Sequence, residues 1–209
     1  PKIPSILGVR VSGIAAGLKG NGKHDLFVAE LVPGSTIAGT LTRSRCPGMP
    51  VEWTKRQLPK GRVRAIVASS GNSNVFTGSQ GRKLVENTAA AVAKSVGCRT
   101  SQVFLASTGV IGEKKDIRFV ADKVPMGVKA LKNAAWHDAA RSIMTTDRFP
   151  KAVVRKVKIG NVDVTLAGIA KGSTMIAPDM GTMLSFLFTY AKIPANLLQT
   201  CLTRAVDRP

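Results

Sequence analysis

Val63-Arg64-Ala65-Ile66-Val67-Ala68, followed at once by Ser69-Ser70-Gly71-Asn72-Ser73-Asn74, decides the fold class of this chain. A short apolar run closed by a polar, glycine-containing segment reads as a buried strand ending in a loop. Just beyond it, residues 82–96 place Leu84, Val85, Ala89, Val92 and Val96 near one face of a helix, and Gly97 follows as a helix terminator. Val103-Phe104-Leu105-Ala106 is then a second short strand, running into Ser107-Thr108-Gly109. Strand, helix and strand in succession imply an α/β body.

Working outward, residues 6–14 alternate partially and read as a strand. Residues 26–32 are an apolar run bounded by Asp25 and Pro33. With residues 36–42 they predict a hairpin around Pro33-Gly34-Ser35. Residues 50–58 suit a short helix with Pro50 in its first turn. Helical spacing recurs at 117–124 and 134–144, with Pro125 and Gly127 expected to break the first of these. Residues 152–159 and 162–170 are β-branched runs joined by Gly160-Asn161, a hairpin signal. A Gly, Ser, Thr and Pro-rich turn follows at 172–182, then a strand at 184–190 and an amphipathic helix at 194–206. No linker or internal repeat divides the chain, so the expectation is one α/β body with mixed strands.

The 209 residues include 31 Lys and Arg against 12 Asp and Glu, a formal charge of +19. Such an excess suits a nucleic-acid partner, an acidic surface, or a piece whose acidic complement lies elsewhere. The basic residues are scattered in short groups (Lys55-Arg56, Lys114-Lys115, Arg155-Lys156-Val157-Lys158) without interleaved aromatics on which bases could stack, which argues against nucleic acid. Three spaced cysteines, Cys46, Cys98 and Cys201, form no CxxC pair, so no metal site is expected and reduced thiols are. The two histidines, His24 and His137, are far apart, which disfavours a histidine-based triad. No run reaches the ~18 apolar residues of a membrane helix, and no secretory signal opens the chain. A cytoplasmic location without a membrane partner is expected, within a gene product that extends beyond these residues at one or both ends.

Three junctions carry small hydroxyl residues beside glycine: Ser69-Ser70-Gly71-Asn72, Ser107-Thr108-Gly109 and Gly172-Ser173-Thr174. Each is either an ordinary turn or a concave array of backbone N–H groups able to hold an anion. Phosphate-binding glycine motifs are absent. Gly181-Thr182 allows a different chemistry. A threonine becomes a nucleophile when its own freed α-amine acts as base, because that amine titrates near neutrality, at about 7.7–8.0. Freeing it requires cleavage of the Gly181–Thr182 bond. Gly-Thr is a common dipeptide, and taken alone the pair reads as an ordinary stretch of chain and not as a nucleophile.

Several ordered segments resemble the ornithine acetyltransferase (glutamate N-acetyltransferase) family. They are Gly71-Asn72-Ser73-Asn74-Val75-Phe76-Thr77-Gly78, Ala106-Ser107-Thr108-Gly109-Val110-Ile111-Gly112-Glu113, Ile143-Met144-Thr145-Thr146-Asp147, Gly168-Ile169-Ala170-Lys171-Gly172-Ser173 and Met175-Ile176-Ala177-Pro178-Asp179-Met180-Gly181-Thr182-Met183-Leu184. The likeness spans nearly the whole chain. Here Asp179 and Gly181 stand where the family has Asn and Ala, and Tyr190 where it has Asp.

The resemblance implies an α/β, mixed-sheet layered sandwich with flanking helices, of the N-terminal-nucleophile-like, self-processing kind. It divides the chain into an alpha-chain region, 1–181, and the start of a beta-chain region, 182–209. It implies cleavage between Gly181 and Thr182, Thr182 as the acetyl-carrying nucleophile, and Thr108 with Gly109 as the oxyanion hole. It places Thr145, Lys171 and Thr182 against substrate. The implied reaction moves the acetyl group of N2-acetyl-L-ornithine to L-glutamate, in arginine biosynthesis. No cofactor is implied, and acetyl-CoA is a further candidate acetyl donor. The implied partner is the beta-chain half of the same precursor, in an α/β hetero-oligomer. The competing readings are a related self-processing amidase or aminopeptidase, and a non-catalytic basic binding protein that keeps the fold.

Overall fold

The computed structural model describes residues 3–173 and 183–207. Two sheets organise them. The first has the order β1 (Val9–Ile14), β2 (Leu26–Leu31), β3 (Ala65–Asn72) and β4 (Val103–Val110). β1–β2 and β2–β3 are antiparallel and β3–β4 is parallel, so the sheet is mixed, as expected. A parallel pair needs a long crossover, and the 19-residue α2 (Gly78–Val96) supplies it. The second sheet is the antiparallel meander of β5 (Lys151–Ile159), β6 (Val162–Lys171) and β7 (Leu184–Thr189).

Both faces of the first sheet are covered. On one side α2 lays down Leu84, Val85, Ala89 and Val92 against Leu26, Val28, Ala65, Val67, Val103 and Leu105. The helices α1 (Met49–Gln57) and α3 (Val124–Lys129) are the other two on this side. The opposite face packs on α4 (Trp136–Ser142) and on the second sheet, where Phe27, Ala68, Trp136, Ile143, Ile169 and Phe188 share one cluster. Phe27 meets Phe186 at 5.1 Å between ring centroids, and Trp136 meets Phe188 at 5.4 Å. Each such side chain stabilises the sandwich by about 1.5–3 kcal/mol through removal of apolar surface from water.

Three sequence expectations change. Residues 36–42 form no hairpin with β2, because β2 lies between β1 and β3 and both of its hydrogen-bonding edges are taken. Only an isolated bridge, Thr36 to Arg62, remains there. Pro125 begins α3 instead of breaking a helix, since it occupies the first turn, where a missing N–H costs nothing; residues 117–120 form no helix. Finally, Ser69 to Asn72 and Ser107 to Gly109 are not loops. They continue β3 and β4 and pair with each other, Ser69 with Ser107, Ser70 with Thr108 and Gly71 with Gly109. The Gly160-Asn161 hairpin, the strand after the turn and the last helix, α5 (Ala195–Val206), are present as read.

Gly13 of β1 lets α4 seat directly on the sheet. A Cβ there would stand 2.0 Å from the Asp138 carbonyl oxygen and 2.5 Å from the Ala139 nitrogen, both backbone atoms that cannot turn aside. Gly13→Ala should therefore lower unfolding stability by at least about 1–3 kcal/mol, the usual cost of overpacking. A denaturant midpoint equal to that of the parent would refute this seating.

Candidate functional site

The site forms where the ends of the two sheets meet. Thr108, near the end of β4, is 5% exposed, and Lys171, the last residue of β6, is 1% exposed. The Lys171 Nζ donates to Thr108 Oγ1 at 2.9 Å, a bond that joins the first sheet to the second. Burial pushes the Lys171 ammonium below its usual 10.5; Asp147 opposes that shift and Lys151 adds to it. With Lys171 occupying an acceptor lone pair of Thr108, the threonine's own O–H is left as a donor.

Gly109 follows Thr108 with φ of +133°, a conformation that excludes ordinary side chains. A Cβ would also lie 2.3 Å from the Gly71 carbonyl carbon. The two strands thus pass each other here at a distance only glycine permits, and Gly109 itself is exposed.

Thr145 and Asp147 lie on the connection between α4 and β5. The Asp147 side chain is 1% exposed. Its Oδ1 accepts the Gly172 N–H at 2.9 Å and the Lys151 Nζ at 2.5 Å, and its Oδ2 accepts the Thr145 N–H at 3.3 Å. The chain segments carrying Thr145 and Lys171 are therefore tied to one carboxylate. Burial alone would raise the Asp147 carboxyl, but the Lys151 bond and the two backbone bonds outweigh it and hold the group below its ordinary 3.8.

Lys19 approaches the same place from the loop between β1 and β2. Asp25 fixes that loop by accepting the N–H groups of Ala16 (2.7 Å) and Lys19 (3.0 Å). The Lys19 Nζ then donates to the His24 and Met144 carbonyls at 2.8 and 2.7 Å. Desolvation lowers its pKa; Asp25 counters this, while Lys23 and Lys171 add to it.

Of the residues singled out from sequence, Thr108, Gly109, Thr145 and Lys171 are thus brought together from three separate stretches of chain. Gly181 and Thr182, with the cleavage junction and the boundary between 1–181 and 182–209, lie outside the described residues. Sequence reasoning assigned no role to Asp147 or Lys19. Asp147 did sit in the quoted Met-Thr-Thr-Asp segment, but nothing local marked it as buried. Gly172 closes the Lys171 end of the cluster through its N–H. His24 and His137, remote in sequence, both approach the Asp138 carboxylate, at 3.7 and 3.8 Å. Among the described residues no cluster of three or more His, Cys, Asp or Glu could hold a metal ion, and no helix is long and apolar enough to cross a membrane.

Two stacked sheets with flanking helices, carrying a buried Lys–Thr pair at their junction, define a protein of the ornithine acetyltransferase fold. The ornithine acetyltransferase of Mycobacterium tuberculosis, solved in complex with ornithine, superposes with a TM-score of 0.74 at 31% identity, over 86% of this chain and 94% of that one. The arginine biosynthesis bifunctional protein ArgJ of Bacillus halodurans does so with a TM-score of 0.77 at 25% identity, over 86% and 92% of the two chains. The ArgJ family model matches residues 10–209, and the chain belongs to the ArgJ family. The arginine biosynthesis bifunctional protein ArgJ of Nitrobacter winogradskyi is 48% identical over 99% of this chain, and that of Gluconobacter oxydans is 48% identical over 97%. The chain spans about half the length of these relatives, 51% and 48%.

Because the Asp147 carboxylate is held below its ordinary 3.8, it stabilises the folded state at pH above that value, and the contribution disappears as pH falls through the depressed one. Asp147→Asn should accordingly be less stable than the parent near neutrality and lose less stability on acidification below pH 3.8. Parallel stability–pH curves for the two proteins would contradict the assignment.

Proposed function

We propose that this chain is the nucleophile-bearing part of an enzyme that transfers the acetyl group of N2-acetyl-L-ornithine to L-glutamate. The observation that carries the reading is the buried Lys171–Thr108 bond beside Gly109, in a chain of the ArgJ family. That arrangement offers an oriented hydroxyl and an exposed glycine to a developing negative charge, the requirement of acyl transfer through a tetrahedral intermediate.

In this mechanism the Thr182 hydroxyl first attacks the Gly181 carbonyl. The acyl group shifts from nitrogen to oxygen, which breaks the C–N bond and frees the Thr182 amine, and water then hydrolyses the resulting ester, releasing the Gly181 carboxylate and restoring the hydroxyl. That amine then takes the hydroxyl proton as Oγ attacks the acetyl carbonyl of N-acetylornithine. The Thr108 O–H and the Gly109 N–H stabilise the oxyanion. As the C–N bond breaks, the proton passes to the departing ornithine nitrogen, leaving acetyl-Thr182. The amine of glutamate attacks this ester through a second oxyanion, giving N-acetylglutamate and restoring the hydroxyl. Thr145 and Lys171 bind substrate, the ammonium of Lys171 suiting an α-carboxylate. No cofactor takes part; acetyl-CoA is a second candidate donor to Thr182.

The partner in this reading is the beta-chain half of the same precursor, in an α/β assembly in the cytoplasm. The outward face of the second sheet supports it. Val153 and Leu187 flank Gly168 there and are 40% and 50% exposed, and α5 buries none of its residues. Apolar area of this kind suits a protein interface.

The test is intact mass and acetyl transfer of the full-length protein. Wild type should split between Gly181 and Thr182 and convert N-acetylornithine and glutamate to ornithine and N-acetylglutamate. Thr182→Ala should abolish both activities, and Thr108→Ala should slow both, with a loss in kcat of about 10²–10³-fold for one oxyanion donor. Transfer by the Thr182→Ala protein would sink the mechanism. Hydrolysis without transfer to glutamate would favour the self-processing amidase instead. Salt-dependent nucleic-acid binding without either activity would favour the basic binding protein.

A further inference from the structure

The peptide unit joining Met144 to Thr145 is gripped at both ends by opposite charges. Its carbonyl accepts a hydrogen bond from the Lys19 ammonium at 2.7 Å, and its N–H donates to the Asp147 carboxylate at 3.3 Å. Through its other oxygen the same carboxylate also accepts the Gly172 N–H at 2.9 Å. Lys19 is itself set by Asp25, which holds the Lys19 backbone N–H at 3.0 Å. Three chain segments, the β1–β2 loop, the α4–β5 connection and the end of β6, thus converge on one clamp that stands immediately behind Thr145 and Lys171.

We propose that Asp147 and Lys19 are positioning residues, which act on the reaction by fixing the backbone that carries Thr145 and Lys171 and do not themselves touch substrate. This rests on the acetyl-transfer reading of the site. A connection such as 143–150 has no ladder to hold it, so its place is set by whatever accepts and donates at its peptides. A 1 Å error in a group that orients substrate is enough to cost about 10²-fold in rate. Asp147 is suited to the role because a carboxylate accepts on both oxygens. An asparagine cannot replace it. Whichever way its amide is turned, its NH2 faces either the Thr145 N–H or the Gly172 N–H with the Lys151 ammonium, and a donor meets a donor. Lys151 is different. Its Nζ bonds the carboxylate, but its side chain is 36% exposed and it holds none of the peptides in question.

Full-length Asp147→Asn, Lys19→Met and Lys151→Gln would be compared for acetyl-transfer kinetics and for backbone hydrogen exchange of the segments 143–147 and 171–173 at neutral pH. Asp147→Asn should lower kcat at least tenfold and speed exchange in one or both segments. Lys19→Met should lower kcat about three- to tenfold, with faster exchange in 143–147. Lys151→Gln should stay within about threefold of wild type with both segments protected. An Asp147→Asn protein with kcat within twofold of wild type, or with unchanged exchange, overturns the proposal. So does a Lys151→Gln protein as impaired as Asp147→Asn, which would assign the effect to the ion pair alone. If Asp147→Asn does not fold, Lys19→Met decides by the same two criteria. A wild-type protein that transfers no acetyl group would defeat the functional reading. The exchange measurements would still report whether the clamp exists.

Discussion

The parallel pairing of β3 with β4 is the constraint on which the rest of the structure depends. Its register, from Ala65 opposite Val103 to Gly71 opposite Gly109, brings two small, hydroxyl-rich strand ends side by side. Parallel strands require a crossover, and α2 fills that need while burying one face of the sheet. With α2 on one face, the other can be closed only by a second layer. α4 and the β5–β6–β7 meander provide it, and in doing so they bring Lys171 to Thr108. The close approach at the strand ends is possible because Gly109 lacks a Cβ, which would stand 2.3 Å from the Gly71 carbonyl carbon.

Placing charge at that junction has a cost. Neither Lys171 nor Asp147 retains much water, and a buried charge is tolerated only when it is paired and hydrogen-bonded. Asp147 meets the requirement with three donors on its two oxygens, and its carboxyl stays ionised as a result. Lys171 donates to Thr108, and burial lowers its pKa while the neighbouring Asp147 opposes that shift. A group perturbed by burial and by a specific charge partner is a candidate for a functional role, although structural ion-pair networks also shift pKa values. The same cluster also bridges the sheets, so part of the fold's cohesion at this end is polar. The apolar sandwich of Phe27, Trp136, Ile169 and Phe188 lies in the same interlayer and carries the rest.

Reading the chain in order recovered most strands and helices, because each is announced locally by its periodicity and its bounding residues. The Gly160-Asn161 hairpin needed only a turn and two β-branched runs. The errors arose where a local signal met a tertiary competitor. Residues 36–42 have strand chemistry, but β2 had no edge left to give them. The hydroxyl–glycine stretches look like loops, yet the ladder between β3 and β4 extends through them, because each supplies the other's hydrogen-bonding partners. Pro125 looked like a helix breaker and serves as a helix start, a difference decided by one turn of register.

By itself the sequence determined the α/β class, most of the elements though not all of their bounds, and the residue types at Thr108, Gly109, Thr145 and Lys171, since backbone preference and motif chemistry are properties of short stretches. Only the tertiary structure decided that Lys171 would donate to Thr108 across 63 residues of chain, that Asp147 would be buried with three donors, and that Lys19 would reach the Met144 carbonyl across 125. No local pattern encodes these contacts. They arise from the stacking of two sheets, which fixes which strand ends coincide and which side chains lose their water there.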